Sequence, residues 1–356
     1  MQELRIGPNE AGQRLDKYLH KALPAAPNSL LYQQLRKKNL TLNKKKAEGK
    51  EILKEGDVIQ CFFSQETFEK FLGRSDLSDR IQAYRNAYQK LRGIEILYED
   101  ENFLFLNKPV GVLSQKAAAQ DLSINEWLIG YLLGNGKIKE PELETFSPSV
   151  CNRLDRNTSG IVLCGKSLIG LQALSALLKE RGMEKYYHCI CKGRIREEKT
   201  IEGFLIKDEK ENRVMILKEA EAGASPILTR YVPLEASQNH TLLEVELITG
   251  KTHQIRAHLS SMGHPILGDS KYGGAVSERE KHLGIQPKSQ LLHAHHVCFP
   301  SKEEVENQWP EFADAFMPLS GKTITATEPK EFQKIRDALF SKRVIIYERH
   351  NNLRKS

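Results

Sequence analysis

The sequence predicts an α+β chain: a large mixed, mostly antiparallel sheet flanked by helices, with a small basic unit ahead of it. Three observations carry this. Strand patterns, mostly alternating, recur at 186–191, 201–206, 213–217, 227–232 and 242–248, a density that calls for one extended sheet. Amphipathic helical spacing appears at 122–133 and from Ser167 to Lys179, which supplies helices to cover that sheet. Residues 1–64 hold 12 Lys or Arg against 7 Asp or Glu, so +5 of the net charge of +7 sits at one end. A basic excess concentrated in one module is the footprint of a polyanion-binding appendage.

At 356 residues the chain is long enough for two domains and a sizeable core. It carries 40% hydrophobic and 28% charged residues, a globular balance. No apolar run reaches the 18 or so residues of a membrane span. Met1-Gln2-Glu3-Leu4-Arg5 lacks the apolar stretch of a signal peptide, so a cytoplasmic location is expected. The cysteines at 61, 151, 164, 189, 191 and 298 form no C-x-x-C pair. Zinc-ribbon and thioredoxin readings fail on that spacing, and free, mostly buried thiols are expected.

In the first unit, Leu15, Tyr18 and Leu19 share a helical face, and Pro24 and Pro27 break that helix. Ser29 is expected to cap a second helix through Leu30, Leu31 and Leu35. Leu40-Thr41-Leu42 reads as a short strand, Glu55-Gly56-Asp57 as a turn, and 58–62 as a closing strand. Between 32 and 50 lie seven basic residues and one acid. A charge run is usually a solvated face. Here the helix ending in Leu35-Arg36-Lys37-Lys38, the Asn43-Lys44-Lys45-Lys46 turn and the Gly-Asp before the last strand together resemble the alpha-L RNA-binding module. The resemblance implies RNA contacts at Arg36, Lys37, Lys38, Lys44, Lys45 and Lys46.

Residues 65–93 are polar and helix-prone, and are expected to form a linker or bridging helix. A domain over 94–325 opens with strands at 96–98 and 103–106, and Asn107-Lys108-Pro109-Val110-Gly111 stops the second. Residues 326–356 form a basic extension, with a helix expected at 329–340 and a strand at 343–347.

The densest chemistry lies in Cys151-Asn152-Arg153-Leu154-Asp155-Arg156-Asn157-Thr158-Ser159-Gly160. Small polar residues and Gly favour a loop, and Ile161-Val162-Leu163 reads as a buried strand. Asp155 is therefore expected on a loop that a sheet holds rigidly. Read alone, an Asp between two Arg in a loop is usually a surface ion pair or a turn-capping residue. The second segment is Thr249-Gly250-Lys251-Thr252-His253-Gln254-Ile255-Arg256-Ala257-His258-Leu259. Its Gly-Lys-Thr is no phosphate loop, because Val245 stands where that motif requires Gly. His253 and His258 are five apart, not four, so the helical zinc pair fails. The third is Lys185-Tyr186-Tyr187-His188-Cys189-Ile190-Cys191-Lys192-Gly193, whose tyrosines should point to opposite faces of a strand. Gly263-His264-Pro265-Ile266-Leu267-Gly268-Asp269-Ser270-Lys271-Tyr272-Gly273 and Leu291-Leu292-His293-Ala294-His295 complete the set.

These segments closely resemble the RluA-type RNA pseudouridine synthases, with their R-L-D-x-x-T-S-G, T-G-R-T-H-Q-I-R-x-H, K-x-Y-x-A-L-V-x-G and G-H-P-I-x-G-D-x-x-Y-G patterns. Lys251 stands where Arg is common, and Cys189 and Cys191 replace Ala and Val. The resemblance implies a pseudouridine-synthase core behind an alpha-L module. It implies that Asp155 is the catalytic carboxylate, Arg256 its partner and Tyr187 an active-site ring. It also implies that Arg153 fills the stack left by a flipped uridine. A guanidinium beside a carboxylate favours its ionised form, and an aromatic ring can stack on an extruded base. The Gly263–Gly273 segment is implied to be scaffold, with no chemistry of its own.

The expected activity is isomerisation of uridine to pseudouridine in RNA, most readily large-subunit ribosomal RNA, with transfer RNA as the alternative. Neither a cofactor nor a metal is expected, nor is an obligate protein partner, and the chain is expected to act as a monomer. Two other classes compete. A non-catalytic RNA-binding or chaperone protein would tolerate loss of Asp155, Tyr187 or Arg256, and all three are present. A base glycosidase usually needs two cooperating carboxylates, and the Asp155 loop offers one. Whether Asp155 attacks ribose, attacks the base or removes a ribose proton stays open.

Overall fold

The computed structural model describes residues 2–72, 74–208, 213–340 and 344–345. The N-terminal unit has a sheet of its own, in the order β1-β4-β2-β3, from β1 (Gln2–Arg5), β2 (Leu40–Leu42), β3 (Lys45–Lys46) and β4 (Val58–Cys61). Helices α1 (Leu15–Ala22) and α2 (Asn28–Arg36) pack on it through Leu15, Leu19, Leu31 and Leu35. Ser29 does not cap α2. Helix α2 begins at Asn28 because the Pro27 carbonyl already accepts from the N–H groups of Leu30 and Leu31, which puts Ser29 inside the first turn. The β2–β3 turn is only Asn43-Lys44, both with positive φ, at 51° and 65°. That is the twist a two-residue hairpin requires, and it presents Lys44, Lys45 and Lys46 to solvent.

Residues 65–93 carry two helices. Helix α3 (Gln65–Leu72) adds Phe68 to the N-terminal core. Helix α4 (Arg74–Lys90) lies against α5 (Ile124–Gly134), with Ile81 and Tyr84 meeting Ile129. Gly130 permits the crossing, since a Cβ there would stand 2.2 Å from the Tyr84 carbonyl oxygen. Thr145 donates to Glu10 at 2.6 Å, and the Leu168 N–H to Asn9 at 3.3 Å, joining the N-terminal unit to the rest.

The main sheet uses β5 (Glu95–Glu99), β6 (Phe103–Lys108), β7 (Ser149–Val150), β8 (Ser159–Gly165), β9 (Glu184–Lys192), β10 (Lys199–Asp208), β11 (Arg213–Leu217), β12 (Ser225–Ala236), β13 (His240–Leu247), β14 (Leu292–Cys298), β15 (Thr323–Thr325) and β16 (Val344–Ile345). Its main path runs β11-β10-β12-β13-β9-β14-β8-β6-β5. The β14–β8 pairing is parallel and the other pairings are antiparallel. The mixed, mostly antiparallel sheet expected from the strand density is present.

Alternation along the strands builds two layers. Leu104, Leu106, Val162 and Cys164 face α5 and the Asp155 loop, while Phe103, Phe105, Ile161 and Leu163 face α6 (Leu168–Lys179). Ser123 and Ser167 cap α5 and α6 by accepting from backbone N–H groups. Helix α7 (Gln254–Ser261) follows β13, and α8 (Glu278–His282), α9 (Lys302–Gln308) and α10 (Ala313–Phe316) lie further on. Among the described residues no helix is long and apolar enough to cross a membrane.

The expected basic extension starts later than 326. Helix α11 (Lys330–Phe340) buries Phe332, Ile335 and Phe340 against Ile190, Leu242 and Leu267, so apolar burial makes this stretch part of the main body. Of the strand expected at 343–347, Val344 and Ile345 pair with β12, and the remaining residues lie outside the described ones.

Candidate active site

Asp155 sits on the loop that leads into β8. Its own carbonyl accepts from the Thr158 N–H at 3.0 Å, which tightens the turn. A neighbouring loop, 108–114, is laced to this one. Ser114 Oγ donates to the Leu154 carbonyl at 3.0 Å and accepts from the Leu154 N–H at 2.9 Å. The Gly111 N–H donates to the Arg156 carbonyl at 2.9 Å. Lys108, wholly buried, spends its ammonium on the carbonyls of Val112, Arg156 and Pro109 at 2.8, 3.1 and 3.1 Å. Burial pushes the Lys108 pKa down to about 7, against the pull of the Asp155 charge. Gly160 closes the arrangement: with φ of 111°, it lets β8 approach β14 so closely that a Cβ would stand 2.1 Å from the Ala294 carbonyl oxygen.

Arg256 reaches this loop from α7. The turn before the helix is stapled by Gln254, whose side-chain oxygen accepts from Thr249 Oγ1 at 2.9 Å and from the Lys251 N–H at 3.1 Å. Arg256 Nη1 donates to Asp155 Oδ2 at 2.8 Å. Its Nε and Nη2 donate to Asp269 Oδ2 and Oδ1 at 2.7 and 2.9 Å. Burial opposes the Arg256 charge, but Asp269 and Asp155 outweigh it and raise the pKa. The side chains of Asp269, Arg256 and Asp155 are 1%, 8% and 25% exposed. The buried cation thus extends from a fully enclosed carboxylate to one that solvent can reach.

Tyr187 is buried in the cluster that contains Leu154 and Ile255. Burial, and then the Asp155 charge, raise its phenol pKa well above the ordinary value. It is therefore neutral at physiological pH. Tyr186 stacks instead on His296, with centroids 4.4 Å apart. Asp155, Arg256 and Tyr187 come together; Arg153 lies exposed on the same loop. Arg36, Lys37, Lys38, Lys44, Lys45 and Lys46 are exposed on the N-terminal unit, outside this cluster. Sequence reasoning missed Asp269, Lys108 and His253, whose Nε2 lies 3.7 Å from Asp155 Oδ2. Each stood inside a recognised segment, so the signal was position in a motif, with no partner visible. Among the described residues no group of three or more His, Cys, Asp or Glu could hold a metal ion.

The family model for RNA pseudouridylate synthase matches residues 102–261, the span holding Asp155, Tyr187 and Arg256. The ribosomal large subunit pseudouridine synthase C of Haemophilus ducreyi is 30% identical over 311 residues, covering 87% of this chain and 91% of that protein. The chain belongs to the RNA pseudouridylate synthase family. The synthase of the same name from Escherichia coli K12 is also 30% identical, over 81% of this chain and 85% of its own length. Among solved structures, human RNA Pseudouridylate Synthase Domain Containing 4 covers 72% of this chain and 97% of its own, at a TM-score of 0.55 and 21% identity. That likeness concerns the fold. This chain is an RNA pseudouridine synthase, an isomerase, with the pseudouridine-synthase fold.

Proposed function

We propose that this synthase converts specific uridines of large-subunit ribosomal RNA to pseudouridine, with Asp155 as the acting carboxylate, Arg256 as its partner and Tyr187 beside the base. One observation carries the reading: the 2.8 Å contact from buried Arg256 to the partly exposed carboxylate of Asp155. The guanidinium holds Oδ2, and the rest of the carboxylate stays open to a substrate. The reaction breaks the bond between uracil N1 and ribose C1′, turns the base, and joins C5 to C1′. The proton lost at C5 is balanced by one gained at N1, so no oxidant or reductant enters. Extruding a uridine costs a few kcal/mol. Arg153, exposed at the mouth of the loop, fills the gap in the stack, and Tyr187 packs on the flipped base.

The ribosomal target is supported by the names of the relatives, which act on the large subunit. The N-terminal unit, over 1–64, serves as an alpha-L module whose Arg36, Lys37, Lys38, Lys44, Lys45 and Lys46 contact RNA phosphates. The synthase works in the cytoplasm, as a monomer, without an obligate protein partner and without a cofactor. The test is site-by-site pseudouridine mapping on ribosomal and transfer RNA from a strain lacking the synthase, before and after treatment with the purified protein. New pseudouridines in large-subunit RNA are expected with the wild type and none with Asp155→Asn. Modification confined to transfer RNA would overturn the target, and an active Asp155→Asn would overturn the mechanism.

A further inference from the structure

His253 is the one residue of its turn in the left-handed region, with φ of 54° and ψ of 16°. That conformation is uncommon for a residue with a side chain, and where it recurs it calls for an explanation. The strain aims the imidazole into the site. Its Nδ1 lies 2.9 Å from Tyr272 Oη, and the rings meet edge to face at 75°. Tyr272 Oη already accepts from the Val214 N–H at 3.0 Å, so its own proton is free to go to Nδ1. That network assigns the tautomer with hydrogen on Nε2, the nitrogen 3.7 Å from Asp155 Oδ2.

We propose that His253 is a positioning residue for Asp155: its neutral imidazole presents Nε2–H to Oδ2, and with Arg256 it pins that oxygen so that Oδ1 faces the uridine. This rests on Asp155 being the acting carboxylate. At 3.7 Å the contact is too long for a hydrogen bond; the role proposed for it requires that it shorten in the substrate complex, as catalytic contacts that are long in a free enzyme often do. The groups around His253 favour the neutral form. Burial pulls its pKa below the ordinary 6.5; Arg256 and Lys271 also lower it, against Asp155 and Asp269. Tyr272 is itself held by two cations, with the Arg213 and Arg256 guanidinium carbons 5.6 and 5.1 Å from its ring centroid. Acid that protonates His253 sets its Nδ1–H against the Tyr272 O–H. It also adds a second full positive charge at Oδ2, beside Arg256.

His253→Asn tests this, because Asn tolerates the left-handed backbone yet is too short to reach Oδ2. Tyr272→Phe keeps the ring and removes the proton that fixes the tautomer. Both are assayed as full chains on a ribosomal RNA fragment carrying the target uridine, with a thermal melt to verify folding. His253→Asn should lower kcat roughly 10- to 100-fold, the scale of a reacting group misplaced by about 1 Å. KM should hold within about threefold, and the acid limb of the kcat profile that belongs to His253 should vanish. Tyr272→Phe should move kcat the same way by less. A kcat within about twofold of wild type for His253→Asn, or a loss with the acid limb unchanged, would overturn the proposal. Asp155→Asn in the same assay separates the two readings. If it is inactive while His253→Asn is fully active, this inference alone fails; if it is active, the role of Asp155 fails.

Discussion

Asp269 grips Arg256 through both carboxylate oxygens, at 2.7 and 2.9 Å, while being 1% exposed. A charge so enclosed persists only when it is paired. The pairing fixes the plane of the guanidinium, and that plane sets where Nη1 meets Asp155. Asp269 therefore aims Arg256 from behind, with no contact to the reacting atoms.

Asp269→Asn keeps the shape and one acceptor but removes the charge. Breaking a buried pair commonly costs about 3–5 kcal/mol, and the retained hydrogen bond puts this variant toward the lower end. The melting temperature should fall, and kcat should fall at temperatures where the variant is still folded. Parallel melts and initial rates on one RNA fragment are the measurement. A large melting shift with wild-type kcat would mean that Asp269 only stabilises the fold.

Lys108 ties the loop before Asp155 to its neighbour. In Lys108→Met the carbonyls of Pro109 and Val112 lose their donor, while that of Arg156 keeps only the Gly111 N–H. A buried acceptor left unsatisfied costs about 1–3 kcal/mol. Two such groups do not add in full, because the variant also spares the chain a desolvated cation. A net loss of a few kcal/mol is expected, with proteolysis or hydrogen exchange rising first in 108–114 and 153–157. Protection unchanged in both loops would show that they hold together without the lysine.

Much of this arrangement was legible in the sequence, and the boundary is physical. The loop before β8 and the helical faces of α5 and α6 are local patterns that a few residues specify. The strand alternation behind the main sheet is equally local. The aiming of Arg256 is not local: Asp155 lies 101 residues away and Asp269 lies 13 away across a turn. Lys108 illustrates the same limit. Its Asn-Lys-Pro context reads as the end of a strand, and its nitrogen turns inward to a carbonyl 48 residues on. The packing of 65–93 was hidden for a related reason, since a polar helix shows its partner only when α5 is set beside it.

The N-terminal unit is expected to carry salt-sensitive RNA affinity. Each phosphate neutralised contributes roughly 0.7 log units of affinity per log unit of salt on single strands. Full-length protein, a chain lacking 1–64, and a Lys44→Ala, Lys45→Ala, Lys46→Ala variant are compared on ribosomal RNA over a salt series. The truncation should bind more weakly with a flatter slope, and the triple variant should fall between. Loss of residues 1–64 also exposes Thr145 and the start of α6, so the truncated chain is checked by melting first. Three superimposable lines would make the basic run a solvated face.

The far side of β9 carries the last prediction. Tyr187 faces the site, and His188, next along the strand, faces away. His188 Nδ1 lies 2.7 Å from Glu328 and its Nε2 3.6 Å from Glu244. Its ring stacks on His295 with centroids 3.8 Å apart. Arg336 of α11 holds the other oxygen of Glu328 at 2.5 Å. Burial depresses the His188 pKa, but the two carboxylates outweigh it and raise it above 6.5. Burial also takes His293 and His295 down to about 4 and about 3, so both are neutral near pH 7 and do not repel an imidazolium at 188. A histidine whose pKa is raised on folding binds its proton more tightly in the folded state. Its contribution is complete below the unfolded value of about 6.5 and is lost as pH rises through the higher folded value. The melting temperature of wild type should therefore exceed that of His188→Gln most at and below about pH 6.5. The gap should narrow steadily above that pH, and α11 should loosen first because Glu328 links it to the sheet. Melting curves for both proteins across the neutral range are the measurement. A gap that stays constant or widens with rising pH would mean that His188 is neutral in the fold and that the Glu328 contact is an ordinary hydrogen bond.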